Sequence, residues 1–429
     1  MPASTLLTGI SELTTNDDTR IASHEHLSPA ARAQEACAAA SRLHDAAVVI
    51  ESDRIVWVGR AAQAPAADTR IDLDGRAVLP GWVDSHSHMV FGGDRTREFE
   101  ARMSGAAYKA GGINTTVQAT RMASDAELAD NLRSLVREAR RGGTTTLETK
   151  TGYGLTVADE VRSARIAGEA VDRVTFLGAH VVPEGQAAKE YVRLVSGDML
   201  RAVEPYVSGI DVFCERGAFD ENQARSILQT GKDRGLAVHV HGNQLEPGPG
   251  VQLAVDLGAA SVDHVGYLTS EDIEALAGSW EGELTRGTIA TVLPACDLST
   301  RVDLAPARAL LDANIPVAIA SNCNPGTSYT TSMSFAVTTA VLQMRLSIAE
   351  AVRAATLGGA MSLGMDPHSC QKRAGDSRHP SDLPVGVIQP GARADLHVLE
   401  APSVTHLAYR PGVPLTHRVW RKGVEQKLI

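Results

Sequence analysis

Aromatic side chains are scarce: Phe, Trp and Tyr make up 4% of the 429 residues. A core built from this chain must therefore be filled by Leu, Val, Ile and Ala. Cysteine is sparse too. The five present (Cys37, Cys214, Cys296, Cys323 and Cys370) are odd in number, scattered, and form no CxxC pair. That argues against a disulfide framework or a Cys-rich zinc site and fits a reducing cytoplasm. No apolar run approaches the roughly 18 residues that cross a bilayer, so no membrane partner is expected. The opening MPASTLLTGISELTTND has no basic stretch followed by an apolar one, so export by a standard signal is not expected. Basic residues fall short of acidic ones, 41 against 51, for a formal charge of −10. A nucleic-acid partner, which needs a net basic face, is not expected either. No GxGxxG follows a strand, and GxxxxGK(S/T) and GxSxG do not occur. Dinucleotide, P-loop and nucleophile-elbow chemistry thus lack motif support. There is no tandem repeat or low-complexity tract, and the Ala-rich stretch Ala31–Ala40 reads as a short helix or loop.

What the chain does have is a rhythm. Short apolar, β-branched runs begin near Trp82, Gly142, Val174, Ser208, Leu236, Ala260, Gly287 and Ile315. They read GWVDSH, GGTTTLE, VTFLGAH, SGIDVFCE, LAVHVH, ASVDH, GTIATVL and IPVAIAS. Runs that are apolar throughout, rather than alternating, read as parallel strands buried on both faces. Helix signals fall between them. Ser124-x-x-Glu127 is a capping box, and Leu128, Leu132, Leu135, Val136 and Ala139 follow at helical spacing. Ser347-x-x-Glu350 opens another helix after the last run. Eight strands alternating with helices over about 250 residues describe an α/β fold, a (β/α)8 TIM-like barrel. The wide first gap marks an inserted segment. On the flanks, Ala47–Val58 is β-like with a polar turn at Glu51–Arg54, and Gly391–Val398 and Val413–Gly423 are similar. The expected organisation is a barrel at residues 78–382, with 1–77 and 383–429 pairing into one small composite β-sandwich domain.

Catalytic groups in such barrels lie at the C-terminal ends of the strands. Here those ends carry His86 and His88, Glu148 and Lys150, His180, Glu215, His239 and His241, His264 and, after the eighth strand, Asn322. Half of the strands finish in histidine. A packed core has little use for that, since each buried imidazole needs partners for two nitrogens. His86 and His88 sit two apart on a strand, so both can reach one ion; the bland alternative is a pair of hydrogen-bonded loop histidines. His239 and His241 also share a face. His241 is the better ligand, being nearer the rim and followed by Gly242, which leaves His239 as an interior residue. His264, at the tip of SVDH, could be a ligand, a proton shuttle or a substrate donor. Three neutral imidazoles with an oxygen ligand suit one divalent ion, zinc first and iron second. The Lewis-acid chemistry of such an ion points to hydrolysis rather than redox transfer. Lys150 reads as a salt-bridge partner of Glu148 or Glu215, and Glu215 as a residue supporting the site from behind.

The segments LPGWVDSHSHMVFGGDR, ETKTGYGL, GAHVVP, VHGNQL, SVDH and SNCNPGTSYT occur in that order. Together they resemble the imidazolonepropionase family of the amidohydrolase superfamily, from about Val78 to the end of the barrel. DRIVWVG and GVIQPGARADLHVL are similar to the superfamily's composite β-domain. His-x-His marks only the superfamily; FGGDR, KTGYGL and NPG together are far more specific. The resemblance implies metal-dependent hydrolysis of the cyclic amide 4-imidazolone-5-propanoate to N-formimino-L-glutamate, in histidine degradation. It also implies a cytoplasmic homodimer acting on a small molecule that bears a carboxylate. By resemblance, His86, His88 and His241 hold the ion with Asn322. Arg95 grips the propionate, a role suited to a planar, bidentate, always charged guanidinium. Tyr108 and Tyr153 line the substrate pocket with Asn324, Gly326 and Thr327. His180 donates to the substrate, and His264 stands near the scissile bond.

Two positions depart from the family. Where it usually carries HADE after the fifth strand, this chain has HGNQ, which puts Gln244 in place of Glu. Where the family usually carries T-D-x-N-P-G, this chain has Ser321-Asn322-Cys323-Asn324-Pro325-Gly326. An amide orients or ligates through its oxygen, but it brings no charge and takes no proton at neutral pH. The expected catalytic set is therefore His264, Asn322 and Gln244, with His264 the candidate for proton transfer. Two rivals stay open: another cyclic amidase or nucleobase deaminase on the same scaffold, and a catalytically impaired homologue that only binds an imidazole-like acid.

Overall fold

The computed structural model describes residues 3–17, 42–105, 112–281, 286–372 and 383–427. Ala31–Ala40, Cys37 and Tyr108 lie outside the described residues. The N-terminal segment supplies β1 (Ser4–Thr14), β2 (Arg42–Glu51), β3 (Arg54–Arg60) and β4 (Thr69–Pro80). Eight short strands follow: β5 (Trp82–Asp84), β6 (Thr144–Lys150), β7 (Arg173–Ala179), β8 (Gly209–Cys214), β9 (Ala237–Gly242), β10 (Ser261–His264), β11 (Ile289–Val292) and β12 (Val317–Ile319). The C-terminal segment adds β13 (Leu396–Leu399), β14 (Thr416–Arg421) and β15 (Val424–Glu425).

The eight middle strands form one sheet in sequential order, β5 through β12. They start within two residues of the eight expected positions. β6, β8, β10 and β11 are buried at every residue, which explains why their sequences do not alternate. The backbone beyond the first and last strands almost closes the ring. The Asn322 N–H donates to the His86 carbonyl at 2.9 Å, and the His88 N–H donates to that of Cys323 at 2.9 Å. Among the described residues, the expected insertion after β5 carries helices Thr96–Met103, Ile113–Met122 and Asp125–Arg141. The last of these opens on the Ser124–Glu127 capping box, and its Leu128, Leu132, Leu135 and Val136 are buried as their spacing requires.

The terminal segments build a seven-stranded mixed sheet in the order β15-β14-β13-β4-β1-β2-β3. Its sequence alternation is direct. Leu7, Ile10, Val48, Ile50, Val58, Leu396 and Val398 share one core, while Leu6, Ala47, Val49 and Trp57 cluster separately. The sequence reading did not anticipate β1, although it sits between β2 and β4. A bulge between Leu7 and Ile10 breaks its two-residue period. Gly9 supplies the turn at φ +66°, where a Cβ would lie 2.0 Å from Asp72 Oδ1.

By contacts the chain divides into two compact units, one of Met1–Asp84, Ala139–Thr146 and Ser332–Ile429, the other of Ser85–Glu138 and Leu147–Thr331. All described residues of the expected site fall in the second.

Candidate active site

The strand ends bring His86, His88, His241 and His264 together. His88 Nε2 lies 3.2 Å from His86 Nε2 and 3.4 Å from His241 Nε2. One nitrogen each from His86, His241 and His264 lie within 4.8 Å of one another. His239, by contrast, turns its Nδ1 to Ser261 Oγ at 2.8 Å and is buried.

Proton accounting tells what this cluster suits. His86 Nδ1 faces Asp263 Oδ2 at 2.7 Å, and His241 Nδ1 faces Asp211 Oδ1 at 3.0 Å. A carboxylate only accepts, so both Nδ1 atoms carry a proton, and in the neutral form of either ring Nε2 presents a lone pair. These lone pairs converge on His88 Nε2, which has at most one proton for the two of them. His88 Nδ1, His264 Nδ1 and Asn322 Oδ1 are buried with no hydrogen-bond partner. Converging lone pairs beside an unpartnered amide oxygen fit a divalent cation, and carboxylates behind the imidazoles are the usual support for one. Burial, aided by nearby Lys150 and by the neighbouring histidines, holds His86 well below its ordinary pKa. Burial likewise keeps His88 and His264 neutral.

Asp211 and Asp263 were missed by the sequence reading. Both lie inside runs that read simply as strand. The available signal was a carboxylate in an otherwise apolar buried strand, which persists only when paired. Their charges meet Lys150, whose Nζ is 3.2 Å from Glu148 Oε1, 3.0 Å from Asp211 Oδ2 and 3.9 Å from Asp263 Oδ2. Burial alone would lower the Lys150 pKa, but these three carboxylates outweigh it and raise it. Of the two partners expected for Lys150, Glu148 is the one it meets. Glu215 instead accepts the Gln244 backbone N–H at 2.6 Å.

Above the histidines opens a pocket. Among its lining residues are Arg95, Tyr153, His180, Gln244, Asn322, Asn324 and Thr327, together with the unanticipated Ile113, Val181 and Phe213. Arg95 is held flat by Glu98, with Nε at 2.8 Å from Oε2 and the NH2 nitrogen at 2.6 Å from Oε1. Its NH1 nitrogen packs on Gly326, where a Cβ would be 2.1 Å away. Gly326 therefore serves by having no side chain. Asn324 spends its amide on its own loop: Oδ1 accepts from the Gly326 and Thr327 N–H groups at 2.8 Å each, and Nδ2 donates to the Asn322 carbonyl at 2.7 Å. His180 differs from its expected role as a donor. Its Nδ1 bonds the Gly152 carbonyl at 3.1 Å, so Nδ1 is the donor there and the neutral ring offers an acceptor at Nε2. Burial lowers its pKa to about 3, which keeps it neutral.

The backbone at the strand ends is strained. Asn243, His264, Val265 and Asn322 all adopt positive φ, between 47° and 81°. Each such residue costs about 1–3 kcal/mol, and strain of this kind collects at functional sites.

Comparison with known proteins agrees with this geometry. Residues 77–370 match the family model described as Amidohydrolase family. The imidazolonepropionase of Arthrobacter sp. (strain FB24) is 59% identical over 427 residues, which is 99% of this chain and 100% of the relative. That of Saccharopolyspora erythraea is 59% identical over 421 residues, 98% of each chain. Among solved structures, a mutant atrazine chlorohydrolase of Arthrobacter aurescens TC1 complexed with zinc and atraton superposes with a TM-score of 0.67 at 18% identity, over 98% of this chain and 94% of that one. An adenosine deaminase from Xanthomonas campestris with bound zinc gives 0.66 at 20% identity, over 99% and 93%. The solved structures speak for the fold alone, whereas the sequence relatives go further: the chain belongs to the amidohydrolase family and, within it, to the imidazolonepropionases.

Proposed function

We propose that the chain opens the ring of 4-imidazolone-5-propanoate by hydrolysis, giving N-formimino-L-glutamate in histidine degradation. One observation carries this reading. A cluster of imidazole lone pairs and a clamped guanidinium border the same pocket, matching a substrate with a reactive ring and a carboxylate tail. A divalent ion held by His86, His88, His241 and Asn322 Oδ1, zinc first and iron second, supplies Lewis-acid chemistry for the amide. The remaining work falls to side chains. Arg95, its plane fixed by Glu98, holds the propionate and so sets the ring over the histidines. Tyr153 walls the pocket. His180 accepts from a ring N–H. His264 takes up a proton and passes it to the ring nitrogen that leaves. Gln244 and Asn322 orient without exchanging protons. The resemblance adds a homodimer working in the cytoplasm to this proposal.

Prolonged dialysis against a chelator is expected to abolish ring opening, and added zinc or iron to restore it. Turnover indifferent to chelation would refute the role of the ion. Gly326→Ala is expected to push Arg95 aside and raise KM by about 10–100-fold, the cost of one charged hydrogen bond, with kcat much less affected. An unchanged KM for imidazolone propionate would remove Arg95 from the substrate grip.

A further inference from the structure

We infer that His264, Cys296 and Asp297 form a second cation site, beside the first, that takes a soft or borderline divalent ion and inhibits the enzyme when filled. Cys296 and Asp297 lie on the helix Pro294–Thr300, directly after β11. One ring nitrogen of His264, the Cys296 sulfur and one Asp297 carboxylate oxygen all lie within 4.8 Å of one another. The three residues are buried, at 3%, 1% and 5% exposure, and His264 Nδ1 has no hydrogen-bond partner. Imidazole, thiolate and carboxylate together are a ligand set for zinc-like ions, and the sulfur favours softer ones such as cadmium.

The site opens toward the substrate pocket. Gln244, which lines the pocket, brings Nε2 to 4.0 Å from the Cys296 sulfur. His264 itself lines the pocket, as do Asn322 and Thr327. Cys296 also packs with Leu293 and Ala320. That packing accounts for the burial of Cys296 but not for the imidazole and the carboxylate gathered beside it. Filling the site releases the thiol proton to solvent and engages His264, which also stands in the cluster with His86 and His241. The ion thereby withdraws the residue assigned to proton transfer. The inhibitory part of this inference rests on the proposed hydrolase reading; the binding part does not.

The test titrates the metal-loaded enzyme with cadmium chloride. It follows bound metal by equilibrium dialysis, the thiolate-to-cadmium absorption band, and ring opening. The expected result is one equivalent beyond the resident ion, appearance of the band, and loss of activity in step with both. Cys296→Ser should remove the band and shift cadmium binding at least tenfold weaker, and Asp297→Asn should weaken binding with the band retained. Cys323→Ser should keep the band. No additional equivalent, a band that survives Cys296→Ser, or a band lost in Cys323→Ser would each overturn the site. Binding as expected without inhibition would overturn only the inhibitory role.

Discussion

Lys150→Met lowers the stability of the chain by about 3–5 kcal/mol at neutral pH, the cost of removing one partner from a buried ion pair. Lys150 is fully buried, and so are Glu148, Asp211 and Asp263, whose carboxylates surround its ammonium. Methionine fills the volume but leaves these charges without a cation. The sign of the pH dependence follows. Burial already pushes Glu148 from 4.5 up to about 7, even though Lys150 pulls it down; without Lys150 it rises further. A carboxylate whose pKa is raised by folding costs nothing below its unfolded value and its full amount above its folded one. Between pH 4.5 and about 7 Glu148 stays protonated in both folded chains, so its share of the deficit of the variant relative to the parent is flat there and grows above pH 7. Urea unfolding of both chains across that range measures it. A deficit under about 1 kcal/mol at pH 8, or one that shrinks as pH rises, would mean that the carboxylates are satisfied by something else. The same variant should bind its ion about 10–100-fold more weakly, because Asp211 and Asp263 orient His241 and His86.

His264→Ala lowers kcat by about 10²–10⁴-fold, the usual worth of a positioned acid–base group. KM should change little, because the proposed propionate grip is that of Arg95. With Asn322 and Gln244 where the family usually has carboxylates, His264 has no neighbour of comparable basicity at the expected proton-transfer positions. Its ring is buried and its backbone is held at φ +81°, which aims it from the tip of β10 into the pocket. Ring opening measured at saturating substrate, with metal content checked in parallel, separates proton transfer from ion loss. A kcat within about threefold of the parent would assign the proton to another group.

Much of this fold is legible because buried parallel strands must be apolar on both faces. GGTTTLE, SGIDVFCE and GTIATVL announce themselves for that reason. The histidines are legible because imidazoles at four strand tips have no packing rationale. The supports behind them are not. Asp263 reaches His86 across 177 residues of sequence, and Asp211 reaches His241 across 30, so neither pairing has a local signature. β1 escapes for a different reason: its bulge at Gly9 shifts the hydrophobic period in mid-strand. The acceptor tautomer of His180 depends on one carbonyl, that of Gly152, which only the folded loop brings near.

The two amide-to-carbonyl links between His86 and Asn322 and between His88 and Cys323 have a bearing on biosynthesis. They tie the beginning of the barrel to its end, so the first histidines of the cluster to leave the ribosome wait for a segment more than 230 residues later. Until that late segment emerges, His86 and His88 have no neighbour on one flank. A chain truncated before residue 322 should therefore emerge with the histidine cluster unassembled on that flank.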